Sequence, residues 1–247
     1  MEYAALTDVG MKRTNNEDSY IINISEESGD KIFVVADGMG GHNAGEIASR
    51  DACRIVESQI LNQKGGKIED VLTDAVKKAN REIYIRAAEN TLMRGMGTTI
   101  EALVIKDDML CLAHVGDSRV YIVSEDAIRK ITKDHSIVGM MVDEGTISEE
   151  EAKNHPQRNL ITRAVGTSIT VNVDIVKEPI HSGEWILMCT DGLTNMVSRG
   201  EIHGIITNAQ SCNDAVRKLI DRAKEHGGDD NITAVLIKIP LHIGRDK

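Results

Sequence analysis

Aromatic residues are scarce in this chain of 247 residues, which has one Phe, one Trp and four Tyr. The core must therefore be built from aliphatic side chains and methionine, and stacking on nucleobases or sugar rings is disfavoured. Long apolar runs are missing too, since none approaches the roughly 20 residues needed to span a bilayer. The N-terminus lacks the basic-then-apolar pattern of a signal peptide. These absences predict a soluble, cytoplasmic protein with no membrane partner.

Positive charge is in deficit, because 39 Asp and Glu outnumber 29 Lys and Arg and give a formal net charge of −10. An acidic surface is a poor partner for nucleic acid or an anionic membrane, so we expect no nucleic-acid partner. The cysteines form no Cys-x-x-Cys motif, and we predict four buried free thiols. None has an Arg six positions on, which excludes a Cys-x5-Arg thiolate phosphatase. The four are Cys53, Cys111, Cys189 and Cys212.

Prolines number only three, and we find no linker, low-complexity segment or repeat of solenoid length. This favours one domain over residues 1–240 and a short C-terminal tail over residues 241–247. Helical periodicity of apolar residues predicts helices over 44–60, 68–83 and 215–223. Ser211 with Asp214 is an N-cap arrangement for the last of these.

β-rich segments precede and follow the first two helices. Three open the chain, four over 98–132 are spaced as antiparallel meanders, and three lie over 171–179, around Trp185 and over 231–239. Strands in blocks with helices in pairs predict an α+β fold in which two stacked antiparallel sheets are flanked by helices. The segment 136–159 between the blocks is predicted to be helical or a loop.

Carboxylates recur beside Gly or Asn at the ends of the apolar strands. Taken singly, each is better explained as a turn residue, because Asp-Gly is a common turn pair. Taken together, they recur at strand termini that a stack of two sheets brings to one edge. The motifs are Glu17-Asp18, Asp37-Gly38, Asp117 in HVGDSR, Asp191-Gly192, and Asp229-Asp230 in GGDDNIT.

Convergence of these acids would require a cation. Two carboxylates about 5 Å apart repel by roughly 3 kcal/mol at an effective dielectric near 20. No His or Cys occupies a matching position in the motifs, so the ligand set would be all oxygen. Oxygen ligands suit Mg²⁺, Mn²⁺ or Ca²⁺ and argue against structural zinc.

Eight motifs occur in one order between Arg13 and Thr233: RTNNED, VVADGMGGH, GMGTT, HVGDSRVY, KDHS, RNLITRAVG, LMCTDGL and GGDDNIT. In this order they resemble metal-dependent protein phosphatases of the 2C type, and most closely the compact bacterial serine/threonine phosphatases. The resemblance implies an αββα sandwich with two Mn²⁺ or Mg²⁺ ions at one edge. It also implies hydrolysis of phosphoserine and phosphothreonine monoesters by a water that bridges the metals. The implied partners are phosphorylated proteins and a cognate serine/threonine kinase, and we expect a monomer.

The resemblance assigns metal roles within the acidic motifs. Asp37 would bridge the two ions and the Gly38 carbonyl would bind one of them, while Asp191 and Asp230 hold the other. Weaker or outer roles fall to three further acids: Asp117 at a third metal, and Glu17 and Asp18 through metal-bound water.

Arg13, four residues before Glu17, resembles the phosphate clamp of the family, since a guanidinium can hold two phosphate oxygens in a fork. The general acid stays unassigned. Eukaryotic relatives place His directly after the first Asp-Gly, where this chain has Met39. His42 is one candidate, with a structural role as the alternative, and water on a metal near Asp117 is another.

Three remaining features are predicted to support the fold or to border the site. Gly97-Thr98-Thr99 is predicted to be a close-packed strand start, and His135 to support the fold. Residues 136–159 resemble the flap beside the active site of the family, which either influences substrate choice or is a solvated helical excursion.

Two rival functions differ in their motifs. A haloacid-dehalogenase-type phosphatase needs an Asp-x-Asp nucleophile motif, and a nucleotide-dependent enzyme needs Gly-x4-Gly-Lys-Ser/Thr; neither motif is present. The alternative within the same fold is a catalytically weak, phosphoprotein-binding regulatory module, which metal binding without turnover would favour.

Overall fold

The computed structural model describes residues 1–24, 30–40, 44–63, 65–106 and 108–241. Within these residues the strands are β1 Glu2–Asp8, β2 Asp18–Ile24, β3 Lys31–Met39, β4 Gly97–Thr98, β5 Ile100–Lys106, β6 Met109–Val115, β7 Arg119–Val123, β8 Ile128–Lys130, β9 Asp174–Pro179, β10 Trp185–Cys189 and β11 Ile232–Lys238. The helices are α1 Ala44–Asn62, α2 Ile68–Glu89, α3 Ile137–Asp143, α4 Glu149–Lys153, α5 Asp191–Thr194, α6 Arg199–Thr207 and α7 Cys212–Glu225, with a 3₁₀ turn at Thr91–Met93.

The strands form two antiparallel sheets. The first sheet has the order β1-β11-β10-β7-β8, and the second has the order β2-β3-β5-β6-β9, with β4 paired to β3. The N-terminal strands β1 and β2 thus lie at the edges of different sheets. This arrangement confirms the predicted α+β fold.

Three buried apolar clusters separate four layers. Between the two sheets lie alternate residues of the central strands, such as Phe33 and Val35 of β3 and Ile186 and Met188 of β10. The intervening residues of β3 pack against α1 and α2, and those of β10 pack against α6 and α7. Because successive side chains of a strand point to opposite faces, a strand covered on both faces is apolar throughout, which explains the continuous runs seen in the sequence.

The three helices predicted from periodicity are α1, α2 and α7, and Ser211 caps α7 by accepting a hydrogen bond from the Asp214 N–H. Helix α6 was not predicted. It begins with a capping box in which Ser198 and Glu201 bond to each other's backbone N–H. Its apolar stripe is short and is interrupted by Gly200 and Gly204, so the periodic signal is weak.

The strands predicted as meanders over 98–132 are antiparallel, as expected, but they are divided between the sheets. β5 pairs with β6 in the second sheet, whereas β7 pairs with β8 in the first. The chain crosses between them at Gly116, whose φ is +124°. A Cβ at this position would lie 2.5 Å from the Thr99 side chain, so glycine permits the crossing.

The two Asp-Gly pairs are not turns. Asp37 and Gly38 lie inside β3, which continues to Met39, and Asp191 is the first residue of α5. All four cysteines are buried and free, as predicted. Within the described ranges, no helix combines the length and the apolar character that a membrane crossing would need. Residues 242–247 of the predicted tail lie outside the described residues.

Candidate metal centre

Strand register brings carboxylates from both sheets to one end of the sandwich. In the second sheet, Asp18 of β2 is directly opposite Asp37 of β3. In the first sheet, the end of β10 lies beside the start of β11, because Cys189 pairs with Ala234. Asp191 and Asp230 follow and precede these strands, so they also become neighbours, and Asp117 lies in the crossing between the sheets. We call Asp18, Asp37, Asp117, Asp191 and Asp230 the acid cluster.

The backbone of Asp37 is held on both sides by two threonines. Its N–H donates to Thr99 Oγ1 at 2.9 Å, and its carbonyl accepts from the Thr98 hydroxyl at 2.8 Å and from the Thr99 N–H at 2.9 Å. Gly97 is close-packed as predicted, since a Cβ there would lie 2.7 Å from Thr167. Sequence reasoning missed that this strand start also holds Asp37.

Gly38 lies between two backbone segments that leave no room for a side chain. Its N–H donates to the Glu17 carbonyl at 3.1 Å. A Cβ on Gly38 would lie 2.1 Å from the Gly45 carbonyl oxygen and 2.5 Å from that of Glu17. The Glu17 carboxylate lies against Gly45, where a Cβ would meet Oε2 at 2.7 Å. Glu17 therefore lies beside the first turn of α1, where the helix dipole favours negative charge.

Asp18 joins the two sheets. Its Oδ2 accepts hydrogen bonds from Thr190 at 2.9 Å and from Thr233 at 2.6 Å. Thr233 belongs to β11 of the first sheet, and Thr190 directly follows β10 of the same sheet. The side chain is only 7% exposed, and its Oδ1 is buried with no hydrogen-bond partner in the described residues. Burial, aided by the charges of Asp191 and Asp230, raises the pKa of Asp18 to about 7, although the two hydroxyl bonds lower it.

Three further members of the cluster, Asp37, Asp117 and Asp191, are also electrostatically unfavourable as anions. Burial, followed by the charges of Asp18, Asp191, Asp117 and Asp230, raises the pKa of Asp37 well above its ordinary value. Burial and then Asp191 do the same for the pKa of Asp117. Burial and the charge of Asp230 raise the pKa of Asp191. Each carboxylate is close enough to raise the proton affinity of its neighbours, which is the condition that a bound cation relieves.

One cation of the chain already contacts the cluster. Arg13 Nη2 lies 2.9 Å from Asp230 Oδ2, and the Arg13 charge is the main opposing influence on the pKa of Glu17, which burial raises. The neighbouring Asp229 is more exposed and lies 3.7 Å from Lys12. The two consecutive acids thus have different surroundings, and only Asp230 belongs to the cluster.

The donor set fits a hard divalent cation. All side-chain donors of the cluster are carboxylate oxygens, which Mg²⁺ and Mn²⁺ accept, and the orphaned Asp18 Oδ1 is a buried acceptor that lacks a donor. Across the described residues, no group of three or more His, Cys, Asp or Glu side chains is spaced so that it could hold a metal ion as it stands.

Several residues that organise the site were missed by sequence reasoning. Asn231 ties the cluster to the N-terminal loop, because its Nδ2 donates to the carbonyls of Val9 and Asn15 and its Oδ1 accepts from the Glu17 N–H. Asn195 Nδ2 donates to Asp191 at 3.0 Å. The available signal was position alone, since Asn231 stands directly beside a cluster acid in the sequence.

His135 holds the turn that carries Asp117. Its Nδ1 accepts from the Gly116 N–H at 2.9 Å, and its own N–H donates to the Gly116 carbonyl at 2.7 Å. Burial and the neighbouring His114 lower its pKa to about 4, so the ring is neutral at pH 7. This agrees with the expected supporting role. His42, the candidate general acid, lies outside the described residues.

Residues 136–159, the flap, contain the short helices α3 and α4, as the helical prediction expected. A cavity of about 300 Å³ separates the flap from α5 and α6, and Asp117 and Asp191 are among its lining residues. Arg199 at the start of α6 bonds to Glu149 of α4. The flap thus forms one wall of a cavity that reaches the acid cluster, and its part in substrate choice stays a prediction.

A sandwich of two antiparallel sheets between helical layers, with carboxylates of both sheets gathered at one end, defines a class of αββα proteins with an acidic centre. Residues 11–236 match the family model described as protein phosphatase 2C. The chain therefore belongs to the protein phosphatase 2C family, as the eight motifs predicted.

Relatives cover almost the whole chain. The serine/threonine phosphatase stp of Listeria innocua is 36% identical over 247 residues, which cover 97% of each chain. The solved serine/threonine phosphatase of S. agalactiae has a TM-score of 0.90 and 37% identity, and the match covers 96% of this chain and 99% of that one. The solved catalytic domain of the serine/threonine protein phosphatase PstP, in complex with two manganese ions, has a TM-score of 0.85 and 33% identity and covers 96% and 98%.

Proposed function

We propose that this chain is a Mn²⁺- or Mg²⁺-dependent serine/threonine protein phosphatase that hydrolyses phosphoserine and phosphothreonine monoesters. The observation that carries the proposal is the acid cluster, in which carboxylates from both sheets raise one another's pKa and one buried oxygen, Asp18 Oδ1, lacks a donor. The similarity to serine/threonine phosphatases, one of them in complex with two manganese ions, supports the reaction class and the metal.

Within this proposal, the position of each residue of the acid cluster determines which metal ion it would hold. Asp37 and the Gly38 carbonyl, near the end of β3, together with Asp191 after β10 and Asp230 before β11, would hold two divalent ions. Asp117, in the crossing between the sheets, would hold a third, weaker one. Two ions in the cluster would supply a hydroxide-like nucleophile at neutral pH, by lowering the pKa of a water that they share, and would neutralise phosphate charge.

Asp18 and Glu17 act around this centre in the proposal. Asp18 is held by hydroxyls of both Thr190 and Thr233, so its free Oδ1 has a set orientation for a water of the ions. Glu17 is fixed against α1 and is suited to the same outer role.

Arg13 is proposed to bind the phosphate of the substrate. Its side chain is about half exposed and lies at the cluster through the contact with Asp230. A guanidinium there can turn from the carboxylate to phosphate oxygens, which it binds in a fork. The proton donor to the serine or threonine leaving group is not assigned to a residue.

Phosphorylated proteins are the proposed substrates, with a serine/threonine kinase as the functional counterpart. An acidic protein of net charge −10 needs bound cations and Arg13 to attract a phosphate dianion, so substrate binding should require the metal as well. The monomeric state and the cytoplasmic location stay predictions.

The test is phosphate release from a phosphothreonine peptide, measured with Mn²⁺ and with EDTA. The variants are Asp191→Asn, Asp230→Asn and, as a matched control, Asp229→Asn, which changes an adjacent carboxylate outside the cluster. We expect turnover that requires Mn²⁺, is lost in the first two variants and is retained in Asp229→Asn. Turnover that survives EDTA and Asp191→Asn would refute the metal mechanism.

The second candidate function, a phosphoprotein-binding module with weak catalysis, predicts a different outcome. In that case calorimetry would detect Mn²⁺ binding to the wild-type protein, but no phosphopeptide would release phosphate above the rate without protein. The presence of every acid that the resemblance requires favours the enzyme.

A further inference from the structure

A buried glutamate and histidine lie between the two sheets near the acid cluster. Glu101 of β5 and His114 of β6 are directly opposite each other and are 0% and 1% exposed. Glu101 Oε1 and His114 Nδ1 are 3.0 Å apart. On the side away from the acid cluster, the next residues on the same strand faces are the apolar Leu103 and Leu112. An ionisable pair in such a layer carries a desolvation penalty, and the mechanism proposed above does not use it.

The geometry sets the proton count of the pair. His114 Nε2 lies 2.7 Å from the Lys133 carbonyl oxygen, which can only accept, so Nε2 carries a hydrogen. The contact between Nδ1 and Oε1 then holds one further proton, either on the ring or on the carboxyl group. Burial raises the pKa of Glu101. Burial lowers the pKa of His114, but the hydrogen bond and charge of Glu101, together with the Lys133 carbonyl and the charge of Asp134, raise it overall. Both shifts retain this proton at neutral pH.

Two buried hydroxyls connect the pair with the acid cluster. Ser118, next to Asp117, is close enough to lower the pKa of the Glu101 carboxyl group against the effect of burial, while Glu101 Oε2 has no hydrogen-bond partner in the described residues. Ser118 Oγ lies 2.8 Å from Thr99 Oγ1, and Thr99 Oγ1 accepts from the Asp37 N–H. A line of polar groups thus runs from Ser118 through Thr99 to the backbone of Asp37, and Ser118 lies beside both Glu101 and the turn that carries Asp117.

The histidine of the pair contacts a third segment, residues 133–136. Besides the bond to the Lys133 carbonyl, the His114 ring stacks on the His135 ring with 4.5 Å between centroids. His135 in turn bonds to Gly116 on two sides. Three segments therefore meet at the pair: the end of β3 with Asp37, the crossing with Asp117, and residues 133–136 that lead into the flap.

We propose that Glu101 and His114 are a positioning pair that sets the separation of Asp37 and Asp117 and thereby the affinity of the cluster for divalent metal, above all for the weaker ion at Asp117. With the shared proton on His114, Glu101 is a carboxylate, which can only accept and therefore attracts the Ser118 hydroxyl hydrogen. This leaves Ser118 Oγ as the acceptor for the Thr99 hydroxyl and Thr99 Oγ1 as the acceptor for Asp37. The inference rests on the proposed function for its activity measurement but not for its binding measurement.

The decisive variant is the double substitution Glu101→Leu with His114→Leu. Replacing a buried ion pair by apolar residues is often neutral or stabilising, so we expect this protein to fold with a melting temperature near that of the wild type. Glu101→Gln is a second variant that keeps the size and shape of the side chain. Leu112→Ala is the matched control, since it opens a cavity in the same inter-sheet layer without touching the polar line.

The readouts are a Mn²⁺ binding isotherm by calorimetry and the Mn²⁺ concentration that gives half-maximal turnover of a phosphothreonine peptide. Residues that orient metal ligands change metal affinity by about 10- to 100-fold when substituted. We expect a weakening in that range for the weakest site in the double variant and in Glu101→Gln. We expect Leu112→Ala to lower the melting temperature but to leave Mn²⁺ binding unchanged.

Two results would overturn the proposal: wild-type Mn²⁺ binding in both the folded double variant and Glu101→Gln, or the same weakening in Leu112→Ala. If the double variant does not fold, Glu101→Gln decides alone. If the wild type binds Mn²⁺ but releases no phosphate, the proposed function fails, while the binding isotherms still test the pair.

Discussion

Substituting Asp18 by Asn should stabilise the metal-free protein at alkaline pH. The Asp18 Oδ2 accepts from two hydroxyls and its Oδ1 has no donor among the described residues. In Asn, the carbonyl oxygen can keep both hydroxyl bonds, and the amide nitrogen takes the place of Oδ1 and donates toward the neighbouring acids. The substitution therefore removes a buried negative charge without removing the contacts that join the two sheets.

The magnitude follows from the pKa of Asp18, which burial raises from 3.8 to about 7. At about 1.4 kcal/mol per pKa unit, this difference corresponds to about 4 kcal/mol in the free energy of unfolding. Because the folded-state pKa is the higher one, this stability is fully present below pH 3.8 and is lost as pH rises through about 7. Most of the loss, about 3 kcal/mol, falls between about pH 5 and pH 8.

The assay is urea unfolding in EDTA at pH 5 and pH 8, for the wild type and Asp18→Asn. Subtraction of the two proteins cancels the pH dependence of groups whose pKa does not depend on Asp18. Asp134→Asn is the opposite control, because Asp134 is buried with Arg119 and Lys130 and its pKa is lowered by them despite burial. Asp134→Asn should therefore lower the free energy of unfolding at pH 8. The reasoning is refuted if Asp18→Asn is no more stable than the wild type at pH 8, or if its advantage does not shrink at pH 5.

Three further predictions concern the same centre. Asp37→Asn should raise the melting temperature without metal, since it removes a carboxylate whose pKa is raised, and should abolish the rise in melting temperature that Mn²⁺ gives the wild type by mass action; no change in either value would contradict a shared site. Gly38→Ala should lower the free energy of unfolding by about 3 kcal/mol or more, because its Cβ meets two carbonyl oxygens, whereas Gly204→Ala in α6, where a Cβ meets nothing within 4 Å, should raise it by about 1 kcal/mol. Arg13→Lys should raise KM for a phosphothreonine peptide about tenfold, with a smaller change in kcat, because a forked contact becomes a point contact; an unchanged KM would exclude Arg13 from phosphate binding.

Local patterns predicted most of the elements, because each depends on residues that are close in the sequence. Residues 44–60 and 68–83 carry helical stripes, and they form α1 and α2. Helix α6 was not predicted, because its apolar stripe is short and its start depends on the capping box of Ser198 and Glu201. The division of the strands over 98–132 between the two sheets was not predicted either, since only the glycine at position 116 marks the crossing in the sequence.

The acidic motifs identified the members of the centre, since Asp37, Asp117, Asp191 and Asp230 all stand next to apolar runs and beside Gly or Asn in the sequence. Their convergence was an inference from the expected two-sheet stack. The groups that hold them were not visible, because Thr190 and Thr233 reach Asp18 across more than 170 residues of sequence. A threonine in a strand looks like ordinary β-propensity until its partner is known.

By itself, the sequence determined the family, the α+β layering, the aliphatic core and the identity of the acids. Composition, periodicity and motif order can be read along the chain without knowing which segments meet in space. Only the tertiary structure decided that the Asp18 carboxylate is shared between the sheets, that Gly38 admits no side chain, and that Glu101 and His114 form a buried pair near Asp37 and Asp117. Each of these depends on distances between segments far apart in the sequence, and the electrostatic state of a carboxylate is set by what surrounds it in space.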